Sequence, residues 1–303
     1  MTRVWLPDPP ELFKGLPDGM VADVWTGGEP LPASTDEVEV IVPPPRVRPE
    51  TLAAIARLPS LKLVQLTSAG AERVIPYIPA HVTLCNARGA HDAATAEWTV
   101  GAIVAHLRNF PRFGNAQSDG RWDFTLSESV SGKRVLIVGY GSIGGAVERR
   151  LAGWEVTIER LARTRRPGVL GLEDLPEALP KADVVVILVP VTEQTTRMVN
   201  AEFLASMKDG ALLVNAARGA IVDTNALLKE LSAHRIKAAL DVTDPEPLPA
   251  GHPLWTAPGL LLTPHVGGAI TQVTERAYAV VRAQLARYAA GEPLHNVIGA
   301  RGY

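Results

Sequence analysis

RVLIVGYGSIGGAVERRLAG, residues 134–153, is the stretch that decides the fold. RVLIVG (134–139) is an apolar run of strand length, and GAVERRLAG (145–153) reads as a helix. Between them Gly139, Tyr140, Gly141, Ser142, Ile143 and Gly144 make a G-x-G-x-x-G turn. The first glycine permits the tight turn, the second lets backbone approach a pyrophosphate, and the third allows close packing of helix on strand. The helix N-terminus then offers unpaired N–H donors to an anion. An ordinary glycine-rich turn is the plainer alternative, but a strand leading in and a helix leading out favour a dinucleotide site.

Further along, ADVVVILVP (182–190), GALLVNAARG (210–219), IKAALDV (236–242) and GLLLTPHVGG (259–268) repeat the form. Each is an apolar run that ends in glycine or polar residues, as a parallel strand buried on both faces should. The first part of the chain has the same rhythm on a smaller scale. VEVIVP (38–43), LKLVQLTSAG (61–70) and HVTLCNARG (81–89) read as strands, with PETLAAIARLP (49–59) as a helix stopped by Pro59. A helix is expected from about Ala93 to Leu107, followed by a polar segment dotted with aromatics. The amphipathic stretch 271–291 reads as a last helix, with Gly291 as its cap. The fold class is α/β, with two parallel-sheet domains.

With 303 residues the chain has room for two domains. A formal net charge of −2 predicts no nucleic-acid partner. One cysteine, Cys85, excludes an internal disulfide and fits a reducing compartment. No run of 18 apolar residues occurs, so no membrane span is expected and a cytoplasmic location is.

Three strand ends carry residues that an ordinary core would avoid. Arg218 follows ALLV in NAARG, Glu246 follows AALDV in DVTDPEP, and His265 follows LLL in TPHVGG. Ligands in open α/β sheets bind beyond the carboxyl ends of the strands, so the three could converge on one crevice. Singly, each has a plainer reading as a cap, a solvated loop residue or a surface ion pair.

Read in order, GYGSIG, VNAARGAIVD, DVTDPEP and TPHVGG resemble the D-isomer-specific 2-hydroxyacid dehydrogenase family. The resemblance covers nearly the whole chain. It implies Rossmann-like and flavodoxin-like domains, the dinucleotide-binding one (99–269) inserted in a substrate-binding one (1–98 plus 270–303). By residues alone, two consecutive domains would serve as well.

The family's active-site roles fall on Arg218, Glu246 and His265. His265 suits the proton donor to a 2-oxo acid, a carboxylate at Glu246 favours its charged form, and Arg218 offers a planar fork for the substrate. The resemblance places Val189, Pro190, Ala216 and Gly267 with the cofactor. It brings Asp241 to the nicotinamide carboxamide, where the plainer reading is a strand-end cap. In the first domain, TSAG resembles the loop that holds the substrate carboxylate, through Ser68, Ala69 and Gly70. Arg88 stands in the next loop, and a ligand-free turn is the alternative for both. Glu97 and Trp98 are expected to pack rather than to touch substrate.

Thr243 departs from the bulkier apolar residue of many relatives, which bears on substrate size. The sequence ends at HNVIGARGY, so a regulatory domain like that of the longer phosphoglycerate dehydrogenases is not expected, and a glyoxylate- or hydroxypyruvate-like substrate is expected over 3-phosphoglycerate. The segment from Leu107 to Trp122 resembles an arm used in homodimers, although Phe110, Phe113 and Trp122 could pack on their own domain.

The cofactor is chosen in ERLARTRRPG (159–168). Counting twenty residues from Gly139 selects Glu159 as the ribose acid and NAD(H) as cofactor. With the family's helix length, the acidic position falls instead on Ala162 and is followed by Arg163, Thr164 and Arg165, with Arg166 next. No carboxylate then repels a 2′-phosphate and the arginines can bind it, so NADP(H) is favoured with NAD(H) as the second choice. A solvated basic loop is the plainer alternative. A dinucleotide-sensing binding protein without turnover, like the corepressors related to this family, is the rival function.

Overall fold

Apolar runs closed by Gly, Pro or polar residues form the strands of a computed structural model that describes residues 1–45 and 47–299. The positions 300–303 of the expected substrate-domain range lie outside the described residues. The described strands are β1 (Thr2–Leu6), β2 (Met20–Val24), β3 (Val38–Ile41), β4 (Leu63–Gln65), β5 (Thr83–Cys85), β6 (Arg134–Val138), β7 (Thr157–Leu161), β8 (Val184–Ile187), β9 (Leu212–Asn215), β10 (Lys237–Leu240), β11 (Leu260–Leu262) and β12 (Val297–Ile298). They form two six-stranded sheets, each in its own compact unit.

One unit takes Met1–His91 and the chain from Thr271 onward; the other is Asp92–Ile270. The second unit is therefore inserted in the first. Its start lies at Asp92 rather than near residue 99, because the helix Asp92–Leu107 is one continuous rod whose Ala96, Val100, Ile103 and Leu107 pack into the second unit's core.

In the first unit the order is β12-β5-β4-β3-β1-β2, parallel except for β12, which runs antiparallel to β5. Alternation puts Val4 and Leu6 on one face and Trp5 on the other. The first face is covered by the helix Val273–Ala289 through Ala277, Tyr278, Val281 and Leu285. Leu52 and Ile55 of the helix Pro49–Ile55 cover the second. Gly291, at φ 66°, ends the long helix in the left-handed region and donates its N–H to Tyr288 O.

The second unit's order is β11-β10-β9-β8-β6-β7, all parallel. Leu136 and Val138 face the helices Ala201–Ser206 and Thr224–Ser232, whereas Val135 and Ile137 face Asp92–Leu107 and Ser142–Leu151. Both faces are dry, which is why the strands read as unbroken apolar runs. The chain leaves β6 toward β7, then returns past β6 to β8. That reversal opens a crevice at the carboxyl ends of β6 and β8, directly at the glycine loop. Among the described residues no helix is long and apolar enough to cross a membrane.

Candidate active site

Gly139 sits at φ 100°, and a Cβ there would lie 2.6 Å from Leu188 C and Val189 N. Only glycine lets the loop after β6 press on the loop after β8. Gly139 and Tyr140 both donate their N–H to Leu161 O at the end of β7, at 2.9 and 2.8 Å. Gly141 caps the helix Ser142–Leu151. At Gly144 a Cβ would stand 3.1 Å from Ile137 Cγ2 and 3.2 Å from the Tyr140 ring, so the third glycine sets the approach of helix to strand. The helix starts at Ser142, and its first turn sets the positive end of the helix dipole at the glycine loop. These features fit a dinucleotide pyrophosphate. Val189 lies in the core with its backbone against Gly139, and Pro190 O accepts from Thr195 Oγ1 at 2.6 Å. Ala216 donates its N–H to Ile187 O at 3.4 Å.

The three strand-end loops are organised by polar residues buried at their roots. Asn215, fully buried at the end of β9, accepts from Ala217 N–H at 3.0 Å and donates to Arg218 O at 2.9 Å, shaping the turn that carries Arg218. Arg218 Nη1 donates to Ala217 O at 2.7 Å. The next residue, Gly219, has no room for a side chain, since a Cβ would lie 1.9 Å from Thr243 O. The Arg218 loop therefore packs directly on the loop that carries Glu246. Thr224 Oγ1 adds a bond to Asp244 O at 3.0 Å, and Thr243 Oγ1 donates to Pro245 O at 2.8 Å.

His265 Nδ1–H donates to Glu246 Oε1 at 2.7 Å. This partner orients the ring and leaves Nε2 as the nitrogen that can exchange a proton. The pair is open to solvent, with 44% of the His265 and 36% of the Glu246 side chain accessible, which a residue meeting a diffusible ligand requires. His265 also holds a left-handed φ of 55°, a conformation that disfavours a non-glycine residue by about 1–3 kcal/mol.

Asp241 supplies the compensation. Its carbonyl accepts from His265 N–H at 2.7 Å, and its buried carboxylate accepts from Thr263 Oγ1 (2.6 Å), Val266 N–H (2.8 Å) and Gly267 N–H (2.7 Å). Three of roughly four carboxylate acceptor sites are thus taken by the His265 loop. Gly267 is required for this closeness, as a Cβ would stand 2.8 Å from Asp241 Oδ2 and 3.5 Å from Trp98 Cγ. Glu97, one residue earlier, pairs with Arg150 at 2.9 Å.

In the first unit, the loops after β4 and β5 are clamped by Asn86. It donates to Ala69 O at 2.7 Å and accepts from Arg88 N–H at 3.1 Å, while Ala87 N–H reaches Ser68 O at 2.8 Å. Ser68 Oγ closes the turn on Gly70 O at 3.0 Å. The structure thus groups Arg218, Asp241, Glu246 and His265 in one unit and Ser68, Ala69, Gly70 and Arg88 in the other.

Residues 100–267 match the family model for the D-isomer specific 2-hydroxyacid dehydrogenase NAD-binding domain. The chain belongs to the D-isomer specific 2-hydroxyacid dehydrogenase family. Members of this family are NAD(P)-dependent oxidoreductases, and the chain is one of them. It is 36% identical to a glyoxylate reductase of Thermofilum pendens over 72% of this chain and 69% of that protein. A family member from Xanthobacter autotrophicus Py2, solved with NADPH and MES, superposes with TM-score 0.85 at 29% identity, covering 99% and 98% of the two chains. The NADPH-dependent glyoxylate/hydroxypyruvate reductase of Sinorhizobium meliloti, solved with NADP and sulfate, gives 0.84 at 25% identity over the full length of both.

Asn86, Asn215 and Gly219 are the residues that reading the sequence did not single out. Each sits beside a motif residue that was, so the signal was a polar or glycine neighbour at a strand end.

The cofactor-selecting segment has a definite register. Glu159 lies inside β7 opposite Leu136, and its carboxylate pairs with Arg134 at 3.2 Å. β7 ends at Leu161, so Ala162 takes the first position after the strand. Arg163, Thr164, Arg165 and Arg166 follow, all exposed. Arg165 is engaged by Glu173 and Asp174, whereas Arg166 donates to Tyr140 O at 2.7 Å in the glycine loop.

Proposed function

We propose that the protein reduces a small 2-oxo acid of the glyoxylate or hydroxypyruvate kind to the D-2-hydroxy acid, with NADPH favoured over NADH. The observation that carries this reading is the His265–Glu246 pair at 2.7 Å, on loops of the same sheet that carries the glycine turn. Bound in the crevice, the dinucleotide supplies the hydride for the substrate's carbonyl carbon. His265 Nε2 donates the proton to the carbonyl oxygen, and Glu246 holds the ring oriented and charge-compensated as the proton leaves. In the oxidative direction the same nitrogen accepts the proton. Arg218 grips the 2-oxo acid and polarises its carbonyl through a planar fork. Ser68, Ala69 and Gly70, with Arg88, hold the substrate carboxylate. Asp241 positions His265 and, by its place in the motif, meets the nicotinamide side.

The cofactor would be held by Gly139–Gly144, Val189, Pro190, Ala216 and Gly267. The basic segment after Ala162 favours the 2′-phosphorylated form, as do the NADPH- and NADP-bound structures that the chain resembles. Cys85 is the one cysteine of the sequence, which suits a reducing, cytoplasmic setting.

A second copy of the chain is the expected partner. Trp122, Phe124 and Leu126 alternate along an extended segment and are at least 83% exposed, more than a lone chain tolerates easily.

The test is steady-state reduction of glyoxylate, hydroxypyruvate, pyruvate and phenylpyruvate with NADPH and NADH in parallel. Turnover of the two smallest polar substrates, faster with NADPH, is expected. Nucleotide binding with no turnover of any pair would replace the reductase with a dinucleotide-sensing protein.

A further inference from the structure

Arg88, which the reading above sets at the substrate carboxylate, stands on an exposed loop, and two asparagines hold its backbone. Its N–H donates to Asn86 Oδ1 at 3.1 Å, and its carbonyl accepts from Asn296 Nδ2 at 3.0 Å. With both peptide groups taken, the direction in which the Arg88 side chain leaves the loop is set. The second contact comes from far along the chain, since Asn296 lies 208 residues beyond Arg88 and immediately before β12.

Asn296 holds a left-handed φ of 54°, a conformation that glycine and asparagine adopt more readily than other residues. Its own carbonyl accepts from Asn86 N–H at 3.2 Å, so this one residue binds the Arg88 loop at two points. Asn296 is fixed in turn through its neighbour. Gln284, buried on the helix Val273–Ala289, donates to His295 O at 2.7 Å and accepts from His295 N–H at 3.0 Å. β12 pairs Val297 with Cys85, which sets Asn296 opposite the loop that follows β5. On the sheet side, the fully buried Gln65 donates to Leu66 O at 2.7 Å and to Asn86 O at 3.2 Å, joining the roots of both substrate loops. Asparagine meets two demands at position 296. Glycine takes the left-handed backbone but offers no donor, and an ionised aspartate only accepts and would face the Arg88 carbonyl.

We propose that Asn296 is a positioning residue for Arg88, and that the segment leading into β12 thereby sets the affinity for the substrate's carboxylate. The proposal rests on the reading of Arg88 as a carboxylate ligand and adds the group that aims it.

The experiment is steady-state reduction of glyoxylate and hydroxypyruvate with NADPH by the full chain, comparing wild type, Arg88→Ala, Asn296→Gly and the double variant. Arg88→Ala should raise the substrate KM about tenfold or more, the loss of a charge-assisted contact. Asn296→Gly keeps the backbone conformation and should raise KM about fivefold, the worth of one neutral hydrogen bond. Its kcat and its NADPH dissociation constant should stay at wild-type values, as expected when only uniform substrate binding is lost. In the Arg88→Ala background the same substitution should change KM by no more than about twofold, because the side chain it aims is gone. Asn296→Asp should raise KM at least as much as Asn296→Gly. An unchanged KM in Asn296→Gly, or an equal effect with and without the Arg88 side chain, overturns the proposal and leaves Arg88 at the carboxylate. A wild-type KM in Arg88→Ala, or a wild type that turns over neither substrate, removes that reading and the proposal together.

Discussion

Replacing Gly219 by alanine tests whether the Arg218 loop must seat on the Glu246 loop. The added Cβ would lie 1.9 Å from Thr243 O, 2.0 Å from its carbonyl carbon and 2.6 Å from Asp244 N. A relaxed carbon–oxygen contact is about 3.3 Å or longer, so the two loops have to part by more than about 1 Å. All three clashing atoms are backbone, and no side chain can rotate away. A displacement of about 1 Å at a reacting constellation can reduce rate about 100-fold. Gly219→Ala should therefore lower kcat/KM by about that factor, and overpacking should reduce stability by about 1–3 kcal/mol. The glycine turn is formed by other loops, so the dissociation constant for NADPH should rise far less than kcat/KM falls, with Ala216 its proposed contact in the displaced turn. Steady-state kinetics, nucleotide titration and thermal melting on one preparation separate these effects. A kcat/KM within twofold of wild type would refute the claim that this packing sets the site.

Asp241→Asn turns one acceptor into an N–H₂ donor facing Thr263 Oγ1, Val266 N–H or Gly267 N–H. It should lower stability by about 1–3 kcal/mol and depress kcat more than KM, read by melting and kinetics. His106 is held neutral by burial and by Lys237, its pKa pushed down to about 4 from 6.5. The unfolded chain takes up that proton first as pH falls, so the folded state loses stability between pH 6.5 and 4 and nothing above it. His106→Leu should flatten that part of the stability–pH curve by about 1–3 kcal/mol, measured by urea unfolding. For the proposed dimer, replacing Trp122 and Phe124 together by serine should shift sedimentation velocity toward a monomer, with the melting temperature of the dilute protein unchanged.

Long apolar runs made the second unit's sheet legible, because strands buried on both faces leave a continuous signal: RVLIV, VVVI and LLVN stand where the sequence puts strands. The edges of the first unit were less visible. β2, MVADV, is the edge strand and only partly covered, while β1, TRVWL, is buried only over Val4, Trp5 and Leu6, and neither stood out. β4 and β5 shrink to three residues each, since the rest of LKLVQLTSAG and HVTLCNARG belongs to the turns. The helix Phe110–Ser118 was hidden by Pro111 and Gly114 and by its polar composition. At the site, the motif residues could be read from sequence, but the residues that hold them could not. Asn215 and Asn86 act through partners whose positions depend on the fold, and Asp241, expected at the cofactor, also holds the His265 loop. The same limit separates Arg165 from Arg166, adjacent in sequence and set apart only because Glu173 and Asp174 turn back beside the first.

The account stands most directly on His265 as the proton donor, and His265→Gln tests it in one preparation. With glyoxylate or hydroxypyruvate and NADPH, kcat should fall by about 10²–10⁴, the usual contribution of a general acid, while the NADPH dissociation constant stays at its wild-type value. A His265→Gln protein that turns over at the wild-type rate would contradict it.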